Sequence, residues 1–364
     1  MSTDTAATAA AVTAAAASKS APGRLSPGLR RALAAVTTAP GATSALVEGE
    51  EVTAESAAVL RLALARVLYE VLHTGRGVRD EAPPKSLRAP AYEARLADAT
   101  PHRETVVPGT DTGERARGGG RLMEIDGLRV AVPDAVRLRA GGSARAPEGA
   151  GAGPGGTGPA AEGRADRRAV RIALPAARPA LSPGFFLVDS GAGRVGPGGL
   201  LRVYLRVADA EAAPALWNAV LTLLEERSAV YRAKIISNPV SLPRNDGMVV
   251  YLDPSSWGEA PRIAEAAVAA GVPDAVRPAF AHPLAPGVTA AWEPEDGRPG
   301  MTGLSFGEHR AHVLARCCVE AALDGRERPG EDELAAACAE ANIDPADPAR
   351  NLTSRPWPWL PPRG

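Results

Sequence analysis

Two segments in the second half of the chain place cationic and phenolic side chains at every other position. Residues 200–207 (LLRVYLRV) carry Arg202, Tyr204 and Arg206, and residues 230–237 (VYRAKIIS) carry Arg232 and Lys234. A spacing of two puts such side chains on one face of a β-strand. If the two strands lie close together, at least four cationic groups converge. A phosphate dianion would relieve their repulsion, because guanidinium groups bind its oxygens in pairs.

Lys234 is the member of this group that could act as a base. The chain has 41 lysines and arginines, and only three of them are lysines: Lys19, Lys85 and Lys234. Arginine keeps its proton at neutral pH, whereas neighbouring cations favour the neutral amine that a lysine base needs. Two simpler interpretations stay open. Lys234 could be an ordinary exposed lysine, and the face of strand 201–207 could be a solvated outer face, as is normal in an antiparallel sheet.

A third polar segment precedes an apolar run that contains Tyr251. Arg244 and Asp246 are two residues apart in Pro-Arg-Asn-Asp-Gly, and Gly247 begins the run GMVVYL. Because Asp-Gly is typical of a turn, Asp246 could have a purely local role. The alternative is that Arg244 and Asp246 orient each other beside a site.

A fourth segment, Ser-Phe-Gly-Glu-His-Arg, opens with Ser305 and closes with His309 and Arg310. Ser305 followed by Glu308 fits a capping box at the start of a helix. Free N–H groups at such an end bind anions, and His309 and Arg310 could add a proton donor and a second cationic group. The capping box alone also explains Ser305 and Glu308 without any ligand.

The elements that would position these residues follow from hydrophobic periodicity. Helices are predicted over residues 27–37, 55–73, 211–228 and 258–271 and from Ser305 onward. Strands are predicted over residues 170–174, 185–191, 199–207, 230–237 and 247–252, and a hairpin over 122–132 with its turn at Asp126-Gly127. Residues 191–196 match G-x-G-x-x-G but are interpreted as a loop. Strands with interspersed helices predict an α+β fold, with a largely antiparallel sheet flanked by helices in the C-terminal half. The N-terminal part is predicted to be helical and loop-rich.

Composition sets the domain limits and excludes several classes of protein. We expect a disordered tail (1–25), an N-terminal helical and β region (26–138), a Gly/Ala/Pro-rich linker or insertion (139–168), a catalytic domain (169–345) and a Pro/Trp-rich tail (346–364). A formal net charge of −1 gives no support for a nucleic-acid binder. No apolar run is long enough for a membrane span, and the N-terminus does not resemble a signal peptide. Three cysteines, two of them adjacent, argue against a disulfide framework or a zinc site, so a reducing cytoplasm and no metal are expected.

The runs GLLRVYLRV, YRAKIISNP, PRNDGMVVYL and GLSFGEHR, in this order and spacing, resemble the type III effector Hop-A family over about residues 185–320. Homologues in that family are lyase components in the biosynthesis of ribosomal peptides such as class V lanthipeptides and thioamitides. The resemblance implies a phosphoserine/phosphothreonine lyase. A kinase-like partner would phosphorylate a precursor peptide with leader and core, and this chain would eliminate phosphate to give dehydroalanine or dehydrobutyrine. A cyclase could be a further partner, and no cofactor is implied.

A more distant resemblance is to bacterial phosphothreonine lyase effectors, which use a lysine base, a histidine acid and a cationic phosphate pocket. Lys234 corresponds to the base. In those enzymes the acid follows the pattern basic residue, any residue, histidine. The corresponding segment here is Arg202-Val-Tyr204, with tyrosine in place of histidine. Two candidates for the acid therefore remain, Tyr204 and His309.

The remaining members of the predicted site have binding or supporting roles. The expected phosphate ligands are Arg202, Arg206, Arg232, Arg244, Arg310 and Ser305, and the expected supporting residues are Asp246 and Tyr251. The alternative function is a non-catalytic module that binds a phosphopeptide or a kinase, as an effector-like interaction protein would. Trp357 and Trp359 in the tail could dock a partner or cover an apolar patch.

Overall fold

The computed structural model describes residues 25–80, 84, 86–140, 167–179, 181–274 and 278–360. The chain divides into two compact units. The first unit comprises Met1–Asp80, Arg277–His282 and Ala291–Pro356. The second unit comprises Glu81–Val276, Pro283–Ala290 and Trp357–Gly364.

The described residues form seven α-helices and fourteen strands. The α-helices are α1 (Pro27–Ala34), α2 (Ala57–Tyr69), α3 (Pro90–Asp98), α4 (Ala213–Glu226), α5 (Ala260–Ala269), α6 (Phe306–Leu323) and α7 (Glu331–Glu340). Shorter helical turns span Glu70–Thr74, Pro239–Ser241 and Pro254–Glu259. The strands are β1 (Val36–Thr38), β2 (Ser44–Val47), β3 (Glu50–Thr53), β4 (Glu104–Arg115), β5 (Arg121–Ile125), β6 (Leu128–Val132), β7 (Leu138–Ala140), β8 (Arg168–Pro175), β9 (Phe185–Asp189), β10 (Leu201–Val207), β11 (Tyr231–Ile236), β12 (Arg244–Leu252), β13 (His282–Ala285) and β14 (Val288–Trp292).

In the first unit, helix α2 packs along helix α6. Leu60, Leu64 and Leu68 recur at a spacing of four residues and are fully buried. Burying a leucine side chain contributes about 1.5–3 kcal/mol, so this stripe is a large share of what holds α2 in place. The N-terminus of α2 is capped by Ser56, whose side chain accepts a hydrogen bond from the Val59 N–H. Strands β1, β2 and β3 form a separate antiparallel sheet in this unit.

The second unit contains a five-stranded antiparallel sheet in the order β6-β5-β4-β8-β7. The predicted hairpin over 122–132 is confirmed as β5 and β6. Its turn residues Asp126 and Gly127 both have positive φ, 51° and 77°, as a tight two-residue hairpin turn requires. The core beside this five-stranded sheet is a cluster of aliphatic side chains and one methionine: Val107, Met123, Ile125, Val132, Val170 and Ile172.

A six-stranded sheet has the order β13-β14-β10-β12-β11-β9, and its strands β9 to β12 lie entirely in the second unit. Strands β10, β12, β11 and β9 pair antiparallel. One face of these four strands is apolar and includes Val203, Val250 and Ile235, which are fully buried. On the same face Phe186 meets Trp217 of α4 edge to face, with ring centroids 6.1 Å apart. This apolar face is the core, and the opposite face is left to polar side chains.

The α+β fold class predicted from the sequence is confirmed, while several boundaries differ. The predicted helix 27–37 ends at Ala34, because Val36, Thr37 and Thr38 form β1, as β-branched residues favour. Of the two alternatives for Asp246, the local turn is not found, since Asp246 and Gly247 both lie inside β12. Gly247 is needed there for space, because a Cβ would lie 2.7 Å from the Cβ of Val207.

Further differences concern helix starts and the tails. The helix predicted over 258–271 is a 3₁₀ turn followed by α5, and residues 191–196 form a loop as predicted. Residues 1–24, 141–166 and 361–364 lie outside the described part of the chain. The tails, the linker and the domain limits inferred from them therefore stay predictions.

Candidate functional site

Strand register places five of the predicted residues on one face of β9 to β12: Arg202, Tyr204, Arg232, Lys234 and Tyr251. Arg202 of β10 pairs with Tyr251 of β12, Tyr251 with Arg232 of β11, and Arg232 with Asp189 of β9. Partners in register point to the same side of a sheet. We call this surface the polar face. It consists of the row just described and the next row, two residues along each strand: Tyr204, Val249, Lys234 and Leu187.

Aromatic rings separate the cationic groups along the polar face. The Arg202 guanidinium carbon lies 5.1 Å from the centre of the Tyr251 ring. The Lys234 ammonium nitrogen lies 5.5 Å from the same ring and 4.2 Å from the Phe185 ring. Each such contact contributes about 0.5–2 kcal/mol and fixes the position of a flexible cationic side chain. Lys234 is therefore held between two rings while it remains half-buried.

Tyr204 and Lys234 flank Val249 from either side. Each is the register partner of Val249, on β10 and β11 respectively. Their backbones are two strand spacings apart, about 10 Å, which two long side chains can bridge with a small group between them. Tyr204 is buried and Lys234 is half-buried. The arrangement places an amine and a phenol on opposite sides of one short stretch of surface.

Carboxylates and an amide bind several of the predicted phosphate ligands in this structure. Arg232 Nε donates to Asp189 Oδ1 at 2.7 Å. Arg244 donates to both oxygens of Asp246, at 2.8 and 3.0 Å, and both residues are buried. The predicted orienting pair of Arg244 and Asp246 is therefore present as a hydrogen-bonded ion pair. Sequence reasoning missed Asp189, whose only signal is an acidic residue ending the apolar strand FFLVD.

Arg206 is the predicted ligand with unused donor capacity. Its Nη1 donates to Asn245 Oδ1 at 2.9 Å. Its Nε is buried and has no hydrogen-bond partner among the described residues. A buried donor left unsatisfied costs about 1–3 kcal/mol, so an anion bound there would recover that energy.

Ser305, His309 and Arg310 belong to the first unit, whereas the polar face belongs to the second. The predicted capping box is confirmed: Ser305 Oγ accepts from the Glu308 N–H at 3.4 Å, and Glu308 Oε2 accepts from the Ser305 N–H at 2.9 Å. Arg310 Nε donates to the Pro348 carbonyl at 3.0 Å. A shared role for these residues and the polar face stays a prediction.

His309 is fully buried and occupied at both ring nitrogens. Arg310 Nη1 donates to His309 Nδ1 at 2.8 Å, so Nδ1 must be unprotonated. Nε2 then carries the proton and donates it to Asp296 Oδ2 at 2.9 Å. Burial, with the Arg310 cation beside the ring, lowers the pKa of His309 from 6.5 to about 4 despite the attraction of Asp296. At neutral pH this is an uncharged imidazole that bridges two charged side chains.

The part of the chain that the structure describes contains neither a metal-binding cluster nor a membrane-spanning helix. No group of three or more His, Cys, Asp or Glu side chains there is arranged to hold a metal ion. Among the same residues, none of the helices combines the length and the apolar character that crossing a bilayer requires.

The model of the HopA1 effector protein family matches residues 176–350 of this chain. A search of curated protein sequences found no match. Two solved structures match in part. They are the effector protein from Pseudomonas syringae pv. tomato strain DC3000 (19% identity, TM-score 0.36, 46% of this chain and 62% of that chain) and the effector protein from Pseudomonas syringae pv. syringae strain 61 (19%, 0.36, 47% and 63%). This chain thus spans less than two thirds of either solved chain. Residues 176–350 are therefore similar to the HopA1 effector protein family.

Proposed function

We propose that this protein is a phosphoserine/phosphothreonine lyase that acts on a phosphorylated precursor peptide. The observation that carries the proposal is the row in which Tyr204 and Lys234 flank Val249. Arg202 and Arg206 lie two residues to either side of Tyr204 on the same strand. Phosphate elimination requires a base, an acid and cations around the phosphate. Lys234, Tyr204 and Arg202 share the polar face, and Arg206 lies where the register of β10 and β12 shifts.

Lys234 is the base in this mechanism. Its neutral amine takes the Cα proton of the phosphorylated residue, and the electron pair of that C–H bond forms the Cα=Cβ double bond. The Cβ–O bond breaks, and its electrons leave with the phosphate. The products are dehydroalanine or dehydrobutyrine and inorganic phosphate, so the reaction moves one proton and one leaving group without any change of oxidation state.

Arg202 and Arg206 hold the phosphate and stabilise the charge that grows on its bridging oxygen. The unsatisfied Nε of Arg206 supports this role, because a phosphate oxygen is a suitable acceptor for it. Arg232 and Arg244 already bind Asp189 and Asp246, so they are not assigned the first contacts to phosphate.

Tyr204 is the better candidate for the acid. It is the register partner of Val249 on the side opposite Lys234, so the two side chains are on the same face of the sheet. The Nε2 proton of His309 is already donated to Asp296, and its neutral ring holds no additional proton near pH 7. His309 is therefore proposed to be structural.

The proposed setting is the cytoplasm, where a kinase-like partner would phosphorylate the peptide and a cyclase could consume the dehydrated product. The partner kinase follows from the chemistry, because a lyase of this class needs a phosphoester that another enzyme has made. The proposed mechanism has no step for a metal or an organic cofactor.

The test is mass spectrometry of a synthetic phosphothreonine peptide after incubation with wild type, Lys234→Arg and Arg171→Gln. Lys234→Arg places a long basic side chain at the same position, but a guanidinium cannot act as a base. Arg171 is an exposed arginine on β8 and serves as the charge control. Loss of one phosphoric acid with wild type and Arg171→Gln, and none with Lys234→Arg, is the expected result. Binding of the peptide by wild type without any loss of phosphate would instead support a non-catalytic phosphopeptide-binding module.

A further inference from the structure

Three arginines converge on one buried carboxylate at the edge of the polar face. Asp189 is fully buried at the end of β9. Arg232 Nε lies 2.7 Å from its Oδ1, and Arg178 Nε lies 3.0 Å from its Oδ2. Arg194 Nε lies 3.7 Å from the same Oδ2. We call Arg178, Arg194 and Arg232 the arginine cluster, and all of it belongs to the second unit.

The arginine cluster carries more positive charge than its described neighbours neutralise. Besides Asp189, the acidic side chain that reaches it is Asp126, whose Oδ2 lies 3.6 Å from Arg194 Nη1. Asp126 is 69% exposed, so water screens its charge strongly. Three guanidinium groups thus share one buried and one solvated carboxylate. Burial and the neighbouring Arg194 cation hold the pKa of Arg178 below its usual value, which agrees with this excess of positive charge.

The cluster is open to a ligand. The side chains of Arg178, Arg194 and Arg232 are 27%, 23% and 32% exposed. Arg194 forms no hydrogen bond with any described side chain, and its buried Nε has no hydrogen-bond partner among the residues that the structure describes. Forked N–H donors of this kind are suited to a carboxylate, which accepts two of them at once.

We propose that the arginine cluster is a second anion site that binds an acidic side chain of the peptide substrate. The identity of that peptide rests on the proposed function, but the binding does not depend on elimination taking place. Arg232 and Lys234 are neighbours on the same face of β11, and Asp189 lies one strand beyond β11. From Val249 on β12, Asp189 lies two strands away, across β11 on β9, and two residues further along β9. These two displacements combine to a distance of roughly 12 Å. An extended peptide covers that distance in about three or four residues. The favoured aspartate or glutamate would therefore lie three or four residues from the phosphorylated one.

The test is a set of fluorescently labelled phosphothreonine peptides in an Ala/Gly background. A single aspartate is moved along each peptide, and each peptide is matched with one that has asparagine at the same position. Affinity is measured by fluorescence anisotropy with the Lys234→Arg protein, so that no peptide is consumed. An aspartate three or four residues away should tighten binding about fivefold at low salt, as one partly solvated charge pair does.

Arg194→Gln should remove this gain, since the substitution deletes the guanidinium that has spare donors. Arg194→Lys should keep about half of the gain in affinity, and Arg171→Gln should leave the gain unchanged. The proposal is overturned if no aspartate position tightens binding more than twofold, or if the gain persists in Arg194→Gln. A protein that shows the Arg194-dependent gain but never releases phosphate in its wild-type form would refute the lyase function and leave the anion site in place.

Discussion

His309 should make the stability of the protein depend on pH in a specific window. The folded protein lowers the pKa of His309 from 6.5 to about 4, because the ring is buried beside the Arg310 cation. Between these two values the unfolded chain binds a proton at this site and the folded chain does not. Stability is therefore full above about pH 6.5 and falls as the pH drops toward 4. The linkage relation gives a loss of about 1.8 kcal/mol between pH 7 and pH 5 from this one residue.

His309→Gln isolates the effect. A glutamine can accept a hydrogen bond from Arg310 and donate one to Asp296, as the histidine does, but it has no proton to gain. The other histidines are present in both proteins: His73, His102, His282 and His312. Urea unfolding at pH 7 and pH 5 should show that wild type loses about 1.8 kcal/mol more than the variant. Equal losses would refute the burial argument, as would an NMR titration that gives His309 a pKa near 6.5.

Other features of the packing yield predictions that need no substrate. Gly307→Ala would put a Cβ 2.4 Å from the His73 ring and should cost about 1–3 kcal/mol in the free energy of unfolding. Gly258→Ala, where no atom lies within 4 Å, should be close to neutral, and equal costs would contradict the crowding argument. Asp189→Asn removes the buried anion from the arginine cluster and should lower the free energy of unfolding by about 3 kcal/mol. An unchanged unfolding midpoint would show that the cluster does not depend on Asp189. Burial raises the pKa of the cysteine thiols to about 11 or 12, so native protein should resist iodoacetamide near pH 7.5 and unfolded protein should react; rapid native labelling would contradict their burial.

The polar face was largely predictable from the sequence, because strand alternation is a local property. Arg202 and Tyr204 share a face of β10, and Arg232 and Lys234 share a face of β11, as their spacing of two required. The spacing could not reveal which strands are neighbours in the sheet. Strand β12 lies between β10 and β11, so Tyr251 and Val249 separate residues that sequence reasoning expected to meet more directly.

Ion pairs between residues far apart in the chain could not be predicted from the sequence. Asp189 is 43 residues from its partner Arg232, and no local pattern links the two. At Asp246 a local signal was misleading. Asp-Gly is typical of a turn, but both residues lie inside β12, where Gly247 leaves space for the side chain of Val207. His309 could be suspected of acid chemistry from its position near a helix start. Its full burial against Asp296 and Arg310 depends on tertiary packing that periodicity does not encode.

The central claim is that Lys234 removes a proton so that phosphate can leave, and release of inorganic phosphate tests it most directly. The measurement is ³¹P NMR of a phosphothreonine peptide mixed with wild type or Lys234→Arg, with Arg171→Gln as the control for loss of one exposed charge. The account predicts a growing inorganic phosphate signal with wild type and the control, and none with Lys234→Arg. Equal phosphate release by wild type and Lys234→Arg would contradict it.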